Sequence, residues 1–265
     1  MSAATALQRF GRAAAAYFLP ARCLACDRGT VERSFRGGVC DACWNSVPMP
    51  PDDRCVVCDE PLPGAGATRC GRCLIDPPAY RSLRAAAPYR DSARTILLAF
   101  KFHGADYLGT RLADVVVERL RTPGNGGDRP DEVVAVPATA RSIRRRGYHP
   151  AELLGRAIAR RLGARFALRL EKVRETERQS GLPLARRRQN VRGAFRARGL
   201  SPRRVLLVDD VATSGMTARE CAGRILAAGA EHVDVWCFAR ASRDDFDRGR
   251  PSDRGSESGT SGETR

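Results

Sequence analysis

The sequence predicts an α/β fold, a parallel sheet flanked by helices, with a compact cysteine-rich module at its N-terminal side. Three observations carry this expectation. Glu132 to Pro137 (EVVAVP) and Val205 to Val208 are short apolar runs of the kind that form strands buried on both faces. Helical patterns lie between and after these runs, and strands alternating with helices imply parallel βαβ units. Eight of the ten cysteines fall between residues 23 and 73 in four C-x-x-C pairs, with Gly, Pro and Asp between them.

Taken in order, residues 1–22 are expected to hold a leading amphipathic helix, Ala3 to Phe18. An Ala-rich, Arg-bearing, acid-free start is also compatible with a targeting segment, although Arg22 before Cys23 does not suit lipoprotein processing. Residues 23–75 form the cysteine module. A tight C-x-x-C turn directs two thiolates at one ion, and two such turns complete a tetrahedral four-sulfur Zn2+ site. The module is therefore expected to be a double zinc ribbon with two structural Zn2+ ions, its ligands being Cys23, Cys26, Cys40, Cys43, Cys55, Cys58, Cys70 and Cys73. Sequential pairing assigns the first four to one ion and the last four to the other, while cross-braced pairing is equally compatible with the spacing.

Asp76, Pro77 and Pro78 make the joint to a body spanning residues 80–241. There Leu83 to Tyr89 reads as a strand, Ser92 to Phe102 and Tyr107 to Leu120 as helices, and Glu132 to Pro137 as a buried strand. Glu152 to Leu162 follows as a helix, Leu168 to Val173 as a short strand, and Glu231 to Ala239 as the closing strand. Cys221 and Cys237 sit in apolar patterns and are read as buried small hydrophobes. Residues 242–265, rich in Ser, Gly and Arg, are expected to be a disordered tail.

Charge is uneven. The formal net charge is +16, and the segment from Arg141 to Arg204 alone carries 20 basic residues against four acids. Such a field attracts polyanions, either a diphosphate-bearing ligand or nucleic acid. Lys101 and Lys172 are the chain's only lysines. No run approaches the roughly 18 apolar residues of a membrane span, and nothing supports the oxidising compartment that a disulfide framework would need, so a cytoplasmic protein is expected.

The densest chemistry lies from Arg204 to Thr217 (RVLLVDDVATSGMT). A strand is expected to end at Asp209 and Asp210, and a small hydroxylated loop then opens a helix that stops at Gly229. Such a turn points backbone N–H groups at an anion, and the helix dipole adds positive potential. Adjacent carboxylates on a strand face opposite ways, so together they can accept from vicinal ribose hydroxyls and organise a Mg2+ ion. A Walker A loop is excluded, because no G-x-x-x-x-G-K-[ST] occurs.

This segment resembles the phosphoribosyl diphosphate (PRPP) signature of type I phosphoribosyltransferases. The resemblance implies that Asp209 and Asp210 are the catalytic carboxylates binding ribose hydroxyls, and that Ala212, Thr213, Ser214, Gly215 and Thr217 wrap the 5′-phosphate. By the rule that ligands sit beyond the C-terminal ends of parallel strands, the turn after EVVAVP should share the site. Arg144, Arg145 and Arg146 are placed there to meet phosphate oxygens, or else form a solvated basic helix start. His149 reads equally as a cap, a packing residue or a proton donor and is not assigned a catalytic role. Thr176 to Phe195 lacks an apolar period, so it reads either as a mobile loop that closes over a reaction or as a surface linker.

The four C-x-x-C pairs, LLAFKFHG at 97–104, VAVPATARSIRRRGYHPAELL, TERQSGLPLARRRQNVRGAF and VLLVDDVATSGMT together look like the ComF family, competence-related proteins with a zinc module fused to a phosphoribosyltransferase fold. The match spans Phe10 to about Arg240. It implies a type I phosphoribosyltransferase-like sheet, PRPP bound with Mg2+, and polar roles for Lys101, Arg146 and Gly147 and, in the flexible loop, Gln179, Arg187 and Asn190. Two departures stand out: Thr213-Ser214-Gly215 replaces the more usual Thr-Thr-Gly, and His149-Pro150 replaces the amide pair of R-G-[FY]-N-Q. Three functions follow as expectations. One is pentosyl transfer from PRPP to an unidentified acceptor, linked to DNA uptake. Another is non-enzymatic single-stranded DNA binding, for which Trp44, Tyr148 and Phe195 are the few stacking candidates. The third is a PRPP-sensing adaptor, with partners among competence helicase and processing proteins.

Overall fold

The computed structural model describes residues 21–31, 38–64, 66–125, 129–175, 190–199 and 204–242. The expected leading helix Ala3 to Phe18, the loop residues Gln179 and Arg187, and the tail from 243 lie outside the described residues. Five strands, β3 (Ser82–Pro88), β4 (Glu132–Ala135), β5 (Arg165–Ala167), β8 (Arg204–Ala212) and β9 (His232–Arg240), form one sheet in the order β3-β9-β8-β4-β5. Every adjacent pair in it is parallel.

β8 runs through the middle of this sheet and is buried on both faces, which is why its apolar residues do not alternate with polar ones. The two faces still differ. Leu206 and Val208 pack with Ile96, Leu97 and Phe100 on one side. Val205 and Leu207 pack with Cys221, Ala222 and Ile225 on the other. The flanking helices are α3 (Asp91–Phe102), α4 (Leu108–Arg121), α5 (Ala140–Arg146), α6 (Pro150–Leu162) and α7 (Met216–Ala227). Gly155 lets α6 approach the edge strand, since a Cβ there would lie 2.9 Å from Phe166.

One expectation needs correction. β8 does not end at the acid pair but continues to Ala212, because Val211 and Ala212 remain in register with Ala239 and Arg240 of β9. The expected strand Leu168 to Val173 is present, shortened at both ends, and a further strand precedes it. Arg165–Ala167 forms the edge of the main sheet, while β6 (Leu170–Lys172) leaves it to pair antiparallel with β7 (Phe195–Ala197). The turn between them is held by Arg169, whose guanidinium donates to both carboxylate oxygens of the buried Glu132 at 2.7 and 3.1 Å.

The cysteine module packs on the body at two places. Its first half contains β1 (Ala21–Arg22), β2 (Thr30–Val31) and α1 (Asp41–Asn45), with β1 and β2 antiparallel. Cys23, Cys43, Trp44 and Val47 join the core cluster that holds α3 and α4. Arg111 stacks 5.3 Å from the Trp44 ring centroid and pairs with Asp41 at 3.1 Å. The second half contains α2 (Gly71–Ile75) and lies against β3, where the Leu83 amide donates to the Val57 carbonyl at 2.8 Å. Asp59, buried, ties the same junction by accepting from the Ala85 amide and pairing with Arg54 and Arg84.

Candidate functional site

At the C-terminal edge of the sheet, strand alternation sends the two adjacent acids to opposite faces. Asp210 emerges on the α3 side, where the Lys101 Nζ sits 2.8 Å from its Oδ1 and both side chains are nearly buried. Asp209 emerges on the α7 side, in the electrostatic reach of Cys221 and Lys172. Burial first, and then the charge of Asp210, push the Asp209 carboxyl up to about 7, against the pull of Lys101 and the amide of Asp210. Both of the chain's lysines thus flank the acid pair. Lys172, at the end of β6, has its ammonium drawn below the ordinary lysine value by burial. Its position could not be read from the sequence, because the hairpin that carries it forms by a pairing across more than twenty residues.

After β8, Thr213, Ser214 and Gly215 make the turn into α7. Gly215 has a left-handed φ of 72°, a conformation in which a Cβ is strained. The buried Tyr80 hydroxyl lies behind it, 3.5 Å from where that Cβ would stand. The carbonyl of Thr213 accepts from the Arg240 guanidinium, and that of Ser214 accepts from Arg72 at 3.0 Å. In a trans peptide the N–H points away from the carbonyl, so the amides of Ser214 and Gly215 face the opposite side from those two arginines. Both amides belong to the residues that open α7, whose N-cap is Gly215. The geometry suits an anion, with Thr217 on the first turn of the helix.

Of the other predicted residues, Arg144 and Arg145 are exposed near the end of α5, whose N-cap is Thr139. Arg146 turns inward and stacks 5.2 Å from the ring of Phe102, the residue after Lys101. Tyr148 links this loop to α3 by donating to the Phe100 carbonyl. His149 occupies the N-cap position of α6 without a side-chain cap, its ring meeting the Val136 carbonyl and Glu152 at 3.0 and 3.4 Å. Asn190 stands at the start of the return to β7, where its carbonyl accepts from Arg174. A cavity of about 400 Å³ lies at the opposite edge of the sheet, near Ser82, Arg204 and Asp234. Its Arg204 and Asp234 are already paired with Asp131 and Arg81.

The cysteines fall into two tetrads, Cys23, Cys26, Cys40 and Cys43, and Cys55, Cys58, Cys70 and Cys73, with the sulfurs of each within 4.8 Å of one another. Sequential rather than cross-braced pairing is therefore the arrangement adopted. Backbone amides of Ala25 and Cys40 donate to the Cys23 Sγ, and that of Gly29 to the Cys26 Sγ, each at 3.3 Å. Such donors favour thiolates. They hold Cys26 down at about 6, whereas burial and the neighbouring thiols raise Cys43 and Cys73. Four soft donors converging in this way fit Zn2+.

A family model described as a double zinc ribbon domain matches residues 14–74. The chain is 31% identical over 210 residues to the DNA utilization protein YhgH of Salmonella typhi, covering 77% of this chain and 90% of that protein. It is 30% identical over 231 residues to Competence protein F of Haemophilus influenzae, covering 84% and 99%. Among solved structures, the allosteric regulatory enzyme of purine biosynthesis is similar at 24% identity and a TM-score of 0.32, over 52% of this chain and 29% of that one. Adenine phosphoribosyltransferase from Leishmania tarentolae is similar at 20% identity and a TM-score of 0.31, over 52% and 72%. Among the described residues, no helix is long and apolar enough to cross a membrane.

Proposed function

The chain belongs to the ComF/YhgH family, and from that premise we propose that it binds PRPP at the C-terminal edge of its sheet and serves DNA uptake or utilisation. The observation that carries this reading is the acid pair and anion turn on one continuous segment, Asp209 to Thr217, with Lys101 held against it. In this reading the amides of Ser214 and Gly215 take the 5′-phosphate, and Asp209 and Asp210 accept from the ribose hydroxyls. Mg2+ bound with the ligand would neutralise diphosphate charge, and the same two carboxylates are the residues that would hold it. Lys101, released from Asp210 when the ligand arrives, becomes a cation for the diphosphate. Arg146, beside Phe102, extends that positive wall.

Transfer of the pentosyl group would further require an acceptor held behind C1 while the departing diphosphate is neutralised. Thermal unfolding of zinc-loaded protein tests the binding step. PRPP with Mg2+ at about 100 times its Kd should stabilise the protein by about 2.7 kcal/mol, roughly 5–11 °C for a body of this size. Ribose 5-phosphate should act more weakly, and PRPP without Mg2+ should lose most of the effect. No shift with any phosphoribosyl ligand would defeat the proposal.

A second reading, direct binding of single-stranded DNA, is favoured by the exposed Arg144 and Arg145. It predicts steeply salt-dependent affinity. Charge reversal at those two residues that left DNA binding intact would remove it.

A further inference from the structure

We infer that the second zinc knuckle is the rear wall of the anion turn, and that Arg72, Glu60 and Arg240 are positioning residues through which Zn2+ at Cys55, Cys58, Cys70 and Cys73 sets the affinity of that turn for a phosphorylated ligand. This inference rests on the proposed reading of Thr213 to Thr217 as the phosphate-binding segment.

The orientation of the turn is set by what holds its carbonyls. A peptide plane has one rotational freedom about its flanking bonds, so fixing its oxygen also fixes its N–H. Arg240 fixes the Thr213 oxygen and Arg72 the Ser214 oxygen. These two arginines come from different parts of the molecule. Arg240 is the last residue of β9, whereas Arg72 lies between the ligands Cys70 and Cys73. They are joined by Glu60, two residues after the ligand Cys58. Its Oε2 lies 2.7 Å from Arg240 and 3.8 Å from Arg72. Arg240 is almost wholly buried and the other two are about one quarter exposed.

The relative placement of Glu60 and Arg72 depends on closure of the knuckle. They sit on its two separate C-x-x-C turns, and the bound metal is what ties one turn to the other. Arg219 of α7 adds a second strap by donating to the carbonyls of Asp76 and Pro77, just beyond the same knuckle. The first knuckle differs. Its polar contacts to the body run from Asp41 and Ser46 to α4 and α3, away from the turn. The two metal sites should therefore be unequal, with the second linked to ligand binding and the first only to stability.

The experiment uses full-length, zinc-loaded protein and the variants Arg72→Ala, Arg72→Lys and Glu60→Gln, none of which removes a cysteine. Zinc content, amide hydrogen exchange at residues 212–217 and calorimetric affinity for PRPP with Mg2+ are measured on each. With two zinc ions retained, Arg72→Ala and Glu60→Gln should speed exchange in the turn and weaken PRPP by roughly 2- to 30-fold, the usual range for coupling of this kind. Arg72→Lys should recover part of the loss. Reciprocity requires PRPP to raise the equilibrium zinc affinity of the second tetrad, read by competition with a chelator, leaving the first unchanged.

Unchanged exchange and unchanged affinity in both Arg72→Ala and Glu60→Gln would overturn the inference. If Arg72→Ala loses zinc, Glu60→Gln decides by the same readouts. Faster exchange in the variants of a protein that binds no PRPP would uphold the positioning role while removing the ligand assigned to the turn.

Discussion

Replacing Lys101 with Met should expose the electrostatic cost of the acid pair. In the ligand-free protein its ammonium lies 2.8 Å from Asp210, with side-chain exposures of only 13% and 11%. Removing one partner of a pair buried this far leaves a carboxylate without compensation, which costs about 3–5 kcal/mol. Residual solvent access favours the lower end, so about 3 kcal/mol, or roughly 6–12 °C in Tm, is expected at pH 8. The loss must depend on pH. Asp209 already has a carboxyl raised to about 7, and Lys101 is one of the groups holding it down. A raised folded-state value means that the folded protein binds more protons than the unfolded chain between about 4 and 7, so stability falls as pH rises through that window. Without Lys101 the window widens upward and the total fall grows. Differential scanning calorimetry at pH 5 and pH 8, with and without millimolar Mg2+, tests this. The variant should lose less stability at pH 5 than at pH 8, and respond more to Mg2+ at pH 8. An equal Tm loss at both pH values would refute the electrostatic account and leave only lost packing of the lysine stem.

Gly215→Ala forces a Cβ into a left-handed turn and should cost about 1–2 kcal/mol in the local fold, read as faster amide exchange at residues 213–217 and weaker PRPP binding. Glu132→Gln strips the carboxylate charge from the buried pair with Arg169 and should lower stability by about 3 kcal/mol or more. Because Glu132 opens β4 at the far edge of the sheet, PRPP affinity should stay within a factor of two. Metal analysis should return two Zn2+ per chain, falling to one in Cys26→Ser, since the tetrads share no ligand. Loss of both ions from that variant would contradict independent sites.

Some of this arrangement could be read from the chain directly. The four apolar residues before Asp209 give a strand buried on two faces, and the knuckle spacing gives two metal sites, because both signals are local. What escaped is non-local. Val211 and Ala212 look like loop residues beside Thr213, yet pairing with β9 keeps them in the strand. Arg165 to Ala167 is too short to carry a period and becomes a strand only because β4 offers a free edge. Arg72 and Arg240 read as ordinary charges, and their meeting at the turn joins residues 142 and 27 positions apart. Glu132 hides a buried ion pair inside an apparently apolar run. No sequence period encodes such contacts.

The most direct test of the central claim is calorimetric titration of PRPP with Mg2+ into zinc-loaded protein and into Asp209→Asn, Asp210→Asn double-variant protein shown to remain folded. The parent should bind saturably and only with Mg2+, and the variant should not bind at the same concentrations. Equal binding by both, or none by a folded parent, would contradict it.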